Sequence, residues 1–408
     1  MAEEIDVVVI GAGQAGLATS HELARRDVEH VVLEASAPGS SWLGRWDSFT
    51  LVGPNHTVRL PGATYDGDDP DGFMSRTEIA QHLQAYAGRL GRVREGVAVR
   101  QLTRAARGGF VLTTDDGQIR SRVVVVATGA YQRPHVPAGL TTLSPDVPCI
   151  DTLHYRNPGA LPDGPVLVVG SGQSACQIAE ELVLAGRDVV MACGRAPWFP
   201  RRPGGRDVFE WLLDTPFFEQ TAAQLPTPAA RLGANPQASG VGGGHDVHFR
   251  TLHALGVRLG GHAVGVVDGE VRLAPDLTAT LAWSDDAYRM LRDLVVRSCA
   301  AAGTQPPDLP EPAAFEPRAV ESVPVSALGS VVVATGFRSR YTEWIDVPGL
   351  VDEQGFPVHV DGESLVAPDL HFVGVHFLRR RRSALLFGVG DDAAATATRI
   401  ATRTGRQA

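Results

Sequence analysis

The sequence predicts an α/β protein carrying two Rossmann-like dinucleotide-binding units. Three observations predict it. A β-branched run over residues 7–10 leads straight into Gly11-Ala12-Gly13-Gln14-Ala15-Gly16, and a helical pattern follows over residues 17–25. The arrangement recurs at Val166-Leu167-Val168-Val169-Gly170-Ser171-Gly172-Gln173-Ser174-Ala175. Two valine-rich runs also end on the same tripeptide, Ala127-Thr128-Gly129 and Ala334-Thr335-Gly336.

Each glycine of the first turn has a physical task. Gly11 permits the tight turn out of the strand, Gly13 lets a pyrophosphate approach the backbone, and Gly16 lets helix and strand pack closely. The helix N-terminus, through Gln14 and Ala15, offers free N–H groups and the positive end of its dipole. A second strand over 28–33 ends on Glu34, 18 positions after Gly16, where a carboxylate accepts hydrogen bonds from a ribose 2′-OH. That carboxylate repels a 2′-phosphate, so the first nucleotide is FAD or NAD rather than NADP.

Residues 39–55 combine glycine, polar and aromatic side chains. They suit a loop over a flat aromatic ligand, with Trp42, Arg45, Trp46 and Asn55 as candidate contacts. Ser75, followed three residues on by Glu78, opens a capped helix running to about Gly88. Residues 97–102, 110–114 and 119–127 read as a small meander with a turn at Asp116-Gly117. Pro134, Pro137, Pro148 and Pro158 then mark a crossing between units.

The second turn has Ala175 at its third position, an accepted small residue. Gln173 and Ser174 open its helix. Its following strand, 188–192, ends without an acid. Gly194-Arg195 and then Arg201-Arg202 follow instead, and arginine at the ribose edge is what a 2′-phosphate requires. Two turns of opposite ribose polarity imply two nucleotides, the second being NADPH.

Residues 203–320 are less legible. His245, His248 and His253, with Asp246, match no standard metal-ligand spacing, so no metal is expected. Residues 283–301 have a helical period, and 306–317 read as a linker. Near the end, Leu370-His371-Phe372-Val373-Gly374 is a short strand, and Gly388-Val389-Gly390 opens an alanine-rich helix. Between them lies the run 379–382, four arginines, of which Arg381 is the candidate for a cofactor phosphate.

Composition narrows the function. A net charge of -9 leaves no basic footprint for nucleic acid. No apolar run approaches the ~20 residues that span a bilayer. The chain enters its first strand within a few residues, so no signal peptide is expected. Four scattered cysteines without Cys-x-x-Cys point to the cytoplasm and away from a redox dithiol. All 37 basic residues are arginine, which excludes Walker A and Schiff-base chemistry.

Taken together, the two turns, the paired Ala-Thr-Gly strands and the Gly-Val-Gly-Asp helix entry resemble the flavin-containing monooxygenases. The stretch Trp46-Asp47-Ser48-Phe49-Thr50-Leu51 with Pro54-Asn55 is similar to their short bacterial branch, often labelled flavoproteins of potassium transport. The resemblance covers nearly the full length and is weakest over 203–320. It implies an FAD domain, 1–155 with 327–408, bracketing an inserted NADPH domain, 156–326, with a variable substrate region at about 203–320. It implies that Gly11, Gly13, Gly16 and Glu34 hold FAD with Arg45 and Trp46 near its ring. Gly170, Gly172, Ala175 and Arg195 would hold NADPH, and Arg201 is a further candidate from the sequence beside them. Thr128, Gly129 and Gly336 would lie where the domains meet, and Gly390 at the last helix entry. The implied reaction inserts one oxygen atom of O2 into a small organic substrate through a flavin C4a-hydroperoxide, with Asn55 as a candidate donor to it. The expected assembly is a homodimer, and the charge and the short apolar runs lead us to expect no nucleic-acid or membrane partner.

One departure stands out. The family carries a histidine four residues before the tyrosine of a Tyr-Arg-Asn-Pro segment. Here Tyr155-Arg156-Asn157-Pro158 is intact, but that position is Asp151, and His154 is out of register. Two rival classes follow: an NADPH-consuming flavin oxidase or reductase that makes H2O2, and a non-catalytic nucleotide sensor.

Overall fold

The computed structural model describes residues 2–405 apart from 142 and 144. The valine-rich strands the sequence marks form two separate sheets. The first is ten-stranded, and Glu3–Ile10 lies at its centre between Val31–Glu34 and Gly117–Val126, parallel to both. Val7, Val8 and Val9 are wholly buried, as a strand covered on both faces requires. Val99–Arg104 and Phe110–Thr114 add the expected antiparallel meander. Leu370–Phe372 pairs in parallel with the end of Gly117–Val126, returning the chain's last third to this sheet. The helices Gln14–Ala24, Arg76–Leu90 and Val389–Arg403 flank it. Ser75 and Glu78 make the anticipated reciprocal cap.

The second sheet is five-stranded and all parallel, in the order Cys149–Asp151, Ser330–Val333, Val166–Val169, Val189–Ala192, Arg258–Gly260. It repeats the first in miniature. Val166–Val169 stands between Val189–Ala192 and Ser330–Val333, just as Glu3–Ile10 stands between Val31–Glu34 and Gly117–Val126. The two Ala-Thr-Gly tripeptides therefore occupy equivalent places, one in each unit.

The observed division between the units differs from the expected boundaries at 155 and 327. Residues 327–336 are similar to the first unit's Ala-Thr-Gly strand, yet Ser330–Val333 pairs with Val166–Val169 in the second sheet. Cys149–Asp151, ahead of the expected boundary at 155, pairs there too. Likeness of sequence reflects the repeated unit, not membership of the same sheet. The chain crosses between units at 133–134 and 337–338, where the two strands pair antiparallel. The region 203–320 is also not a plain insertion, because it contributes the edge strand Arg258–Gly260. Its long helix Leu277–Ala302 packs Tyr288, Leu291 and Val295 against Trp198, Phe199 and Leu212.

Candidate functional site

The two glycine turns are built alike. Gly11 has φ +102, and a Cβ there would lie 2.8 Å from the Ala127 carbonyl oxygen. A Cβ on Gly16 would fall on the Gly11 carbonyl oxygen itself. A Cβ on Gly13, by contrast, would meet nothing within 4 Å. The first two glycines thus serve packing, while Gly13 leaves a gap at the N-terminus of Gln14–Ala24. Such a gap beside unpaired helical N–H groups fits a pyrophosphate. In the second turn Gly170 has φ +120 and presses on Ala334, and a Cβ on Gly172 would meet only the Ala234 methyl, at 3.9 Å. Ala175 is fully buried in the core of the second unit.

At the ribose edge of the first turn, Glu34 accepts hydrogen bonds from the Ala12 and Ser36 N–H groups, at 2.7 and 3.0 Å. Its carboxylate is therefore held in the turn that a dinucleotide would use. At the second turn, Arg195 is exposed, lines the cavity described below, and has no hydrogen-bond or ion-pair partner among the described residues. Ser171 Oγ fixes its neighbour by accepting from the Gly194 N–H at 2.8 Å.

A cavity of about 410 Å3 joins the units. Its floor is the second turn from Gly170 to Ser174. Its walls are both Ala-Thr-Gly corners, through Gly129 and Gly336, together with Tyr131, Phe337, Phe356 and Phe377. Gln173 lines it while donating to the Pro236 carbonyl at 2.8 Å, which straps the 233–236 loop over the turn. Arg381 also lines it. Thr128 sits just outside, accepting from Gln132 at 3.1 Å.

Arg45 lies behind the cavity wall, its guanidinium 5.3 Å from the Tyr131 ring and 5.6 Å from Phe337. No acidic side chain pairs with it among the described residues, its Nε has no acceptor, and burial pulls its pKa down. Trp42 is half-buried, 5.8 Å from Phe49, with its indole N–H lacking an acceptor. These orphaned donors fit a polar cofactor edge. Gln14 reaches the Ala384 carbonyl at 3.3 Å, and Ala15 packs where Gly374 leaves room.

Other candidates are placed elsewhere. Trp46 is 1% exposed and packs in the second unit's core, edge-on to Phe49, so it anchors the loop rather than facing a ring. Asn55 is buried, and both ends of its amide are used: it donates one N–H to the Asp69 carbonyl at 2.9 Å and accepts from the Met74 N–H at 2.7 Å. These two bonds clamp the 69–74 turn and leave one amide N–H of Asn55 over. Arg201 is 2% exposed, bonded to Asp207 at 2.8 Å and to the Val52 carbonyl. Its charge is already spent inside the protein, away from the cavity. Gly390 gives clearance to Pro61 at the last helix entry.

Asp151 is a turn residue. Its Oδ1 accepts from Leu153 N–H at 2.8 Å and from His154 through both backbone and Nδ1. The adjoining Tyr-Arg-Asn-Pro segment grips the aromatic loop. Arg156 donates to the Gly44 carbonyl, Asn157 to Asp47, and Tyr155 to Glu181. The three histidines of the 245–253 region are each committed, His245 to Glu180, His248 as a helix cap and His253 to the Val257 carbonyl.

Sequence reasoning missed Tyr131, Phe337, Phe377 and His376. The first two follow the Ala-Thr-Gly corners by one or two residues, a signal available in retrospect. Phe377 and His376 carry none, since only the turn after Gly374 aims them inward. His376 stacks edge-on with Tyr131 at 5.1 Å, and burial lowers its pKa to about 4, so it is a neutral imidazole.

Residues 8–212 match the family model described as pyridine nucleotide-disulphide oxidoreductase. A CzcO-like oxidoreductase of Geobacillus kaustophilus is 30% identical over 398 residues, 95% of this chain and 96% of its own. Flavin-containing monooxygenase 3 of Macaca mulatta is 29% identical over 248 residues, 54% of this chain and 46% of its own. In fold, a flavin monooxygenase variant from Stenotrophomonas maltophilia superposes with a TM-score of 0.69 at 19% identity, covering 98% of this chain and 99% of that one.

Proposed function

Because this chain belongs to the pyridine nucleotide-disulphide oxidoreductase family, in its flavin-containing monooxygenase branch, we propose that it is an NADPH-dependent monooxygenase of small organic molecules. Its cofactors are FAD and NADPH. One observation carries the reading: a cavity meets both Ala-Thr-Gly corners and the second glycine turn with its Arg195, unpaired among the described residues, while outside it Glu34 stands at the first turn. The chemistry supplied by bound FAD would be hydride acceptance and O2 activation, with Gly13 and Glu34 at the site that would hold it.

The protein's own contribution is position and exclusion of water. Gly13 and Gly172 open the two phosphate cradles. Glu34 selects an unphosphorylated ribose and Arg195 a phosphorylated one. Arg45 offers a half-buried positive charge beside the aromatic wall, where it would stabilise charge gained by an electron-accepting ring. The Tyr-Arg-Asn-Pro grip on Gly44 and Asp47 ties that loop to the second unit. The domain assignment is likewise ours: the ten-stranded sheet with FAD, the five-stranded sheet with NADPH. Among the described residues no helix is long and apolar enough to cross a membrane.

The rival reading, an oxidase releasing H2O2, draws on Asp151 standing where the family has histidine. One experiment separates them. Under 18O2, with thioethers, amines and ketones offered in turn, a monooxygenase puts 18O into an organic product and forms less than one H2O2 per NADPH. If every compound leaves one H2O2 per NADPH and no labelled product, the monooxygenase reading is wrong.

A further inference from the structure

The run 379–382 places four arginines side by side, and the structure treats one of them differently. Arg379 faces Asp361 and Asp392, Arg380 meets Glu219 at 2.9 Å, and Arg382 meets Glu219 at 2.8 Å and Asp391 at 2.7 Å. Arg381 has no carboxylate within ion-pair distance among the described residues. It is held by two neutral amides instead, Gln220 Oε1 at 2.7 Å and Asn235 Oδ1 at 3.5 Å. Its guanidinium lies over Phe217 at 4.4 Å and Phe377 at 4.9 Å, and its Nε has no acceptor. Of the four, it alone lines the cavity.

Such an arrangement is expensive in the free protein. A cation removed from water without a counter-charge is destabilising, and burial accordingly lowers the Arg381 pKa, to about 10. The backbone beneath it is strained as well. Phe377, a bulky side chain, sits at φ +53, a left-handed conformation that L-residues avoid. The gain is orientation, because the ring it turns inward braces one side of the guanidinium. A planar fork held between rings and amides is preorganised for an oxyanion.

We propose that Arg381 is the receptor for the carboxylate of an organic acid, whose apolar part lies against the aromatic walls of the cavity. The proposal rests on the monooxygenase reading only for what happens to the acid afterwards. A carboxylate fits better than a nucleotide phosphate for two reasons. The dinucleotide phosphates already have a cradle at Gly172 with a helix N-terminus behind it, and Arg195 stands free for the ribose phosphate. In addition, Tyr131, Phe337 and Phe356 give the cavity an organic lining.

The test uses FAD-loaded enzyme in a calorimeter, with benzoate and its neutral isostere benzamide as probes and NADP+ as the phosphate arm. Benzoate should bind at least tenfold more tightly than benzamide, since a charge-assisted pair of bonds is worth roughly ten- to a hundredfold. Arg381→Gln should erase that difference and leave NADP+ affinity within twofold. Gln220→Glu keeps the arginine but supplies it with an internal carboxylate, as its neighbours have; it too should weaken benzoate tenfold or more, and it guards against a folding defect in the first variant. The proposal is overturned if benzoate and benzamide bind alike, if neither binds, or if Arg381→Gln weakens NADP+ and spares benzoate. Because binding is read without turnover, failure here leaves the monooxygenase reading standing. Conversely, loss of that reading leaves these affinities unaffected.

Discussion

Replacing Gly13 with alanine should separate cofactor binding from folding, and the structure gives both magnitudes. Gly13 has φ -77 and ψ -174, extended backbone that any residue adopts, and its added Cβ meets nothing within 4 Å. Lower chain entropy in the unfolded state favours alanine by about 0.4–1 kcal/mol. Loss of a helix-capping glycine opposes it by a similar amount, roughly 1 kcal/mol at most. The apoprotein melting temperature should therefore move by no more than about 3 °C. The methyl group, however, occupies the gap through which a pyrophosphate reaches the helix N–H groups. Each charge-assisted hydrogen bond lost there costs about 1.5–3 kcal/mol, or roughly ten- to a hundredfold in FAD affinity. Titrating apoprotein with FAD, followed by flavin fluorescence, measures this directly. Gly16→Ala is the contrasting control. Its Cβ falls on the Gly11 carbonyl, and backbone cannot yield as a side chain can, so the variant should lose stability before it loses any ligand. If Gly13→Ala binds FAD within twofold of wild type, the gap is not the phosphate cradle and the reasoning fails.

Arg195→Ala should raise KM for NADPH by roughly ten- to a hundredfold and leave NADH kinetics nearly unchanged, from loss of a charge-assisted phosphate contact; equal effects on both cofactors would refute the assignment. Arg201→Ala should instead leave cofactor preference alone and destabilise the fold by about 3–5 kcal/mol, since it abandons the buried Asp207 carboxylate; thermal melting distinguishes the two arginines. Burial pushes the Asp392 carboxyl up to about 6, above its unfolded value. Its contribution to stability is therefore full below about pH 4 and is lost as pH rises through about 6, by at most about 3 kcal/mol. Asp392→Asn should flatten that decline in the melting profile, and an unaltered profile counts against it. Asp151→His should lower the H2O2 formed per NADPH consumed; if that ratio and NADPH affinity both stay the same, position 151 has no part in retaining the nucleotide.

The sequence by itself determined the architecture of the two turns. Tight turns, helix starts and caps are set by residues adjacent in the chain, and burial of a strand is written in its own run of valines, so Gly11, Gly16, Gly170, the Ser75 cap and the valine runs were legible. So was the contrast between Glu34 and Arg195, because the end of a second strand is a fixed place in such a unit. Only the tertiary structure decided which sheet each strand joined. Ser330–Val333 resembles Gly117–Val126 in sequence, and only its pairing with Val166–Val169 assigns it to the second unit. The same is true of polar side chains. Trp46, Asn55 and Arg201 have the residue types of a site, but core packing, the 69–74 turn and Asp207 already occupy them. Arg381 has three neighbours of identical type and differs from them only in what the fold sets opposite. Whether a charge is used internally or left for a ligand depends on partners distant in the chain. Local pattern does not encode those partners, because they are set opposite only once residues far apart in the chain are folded together.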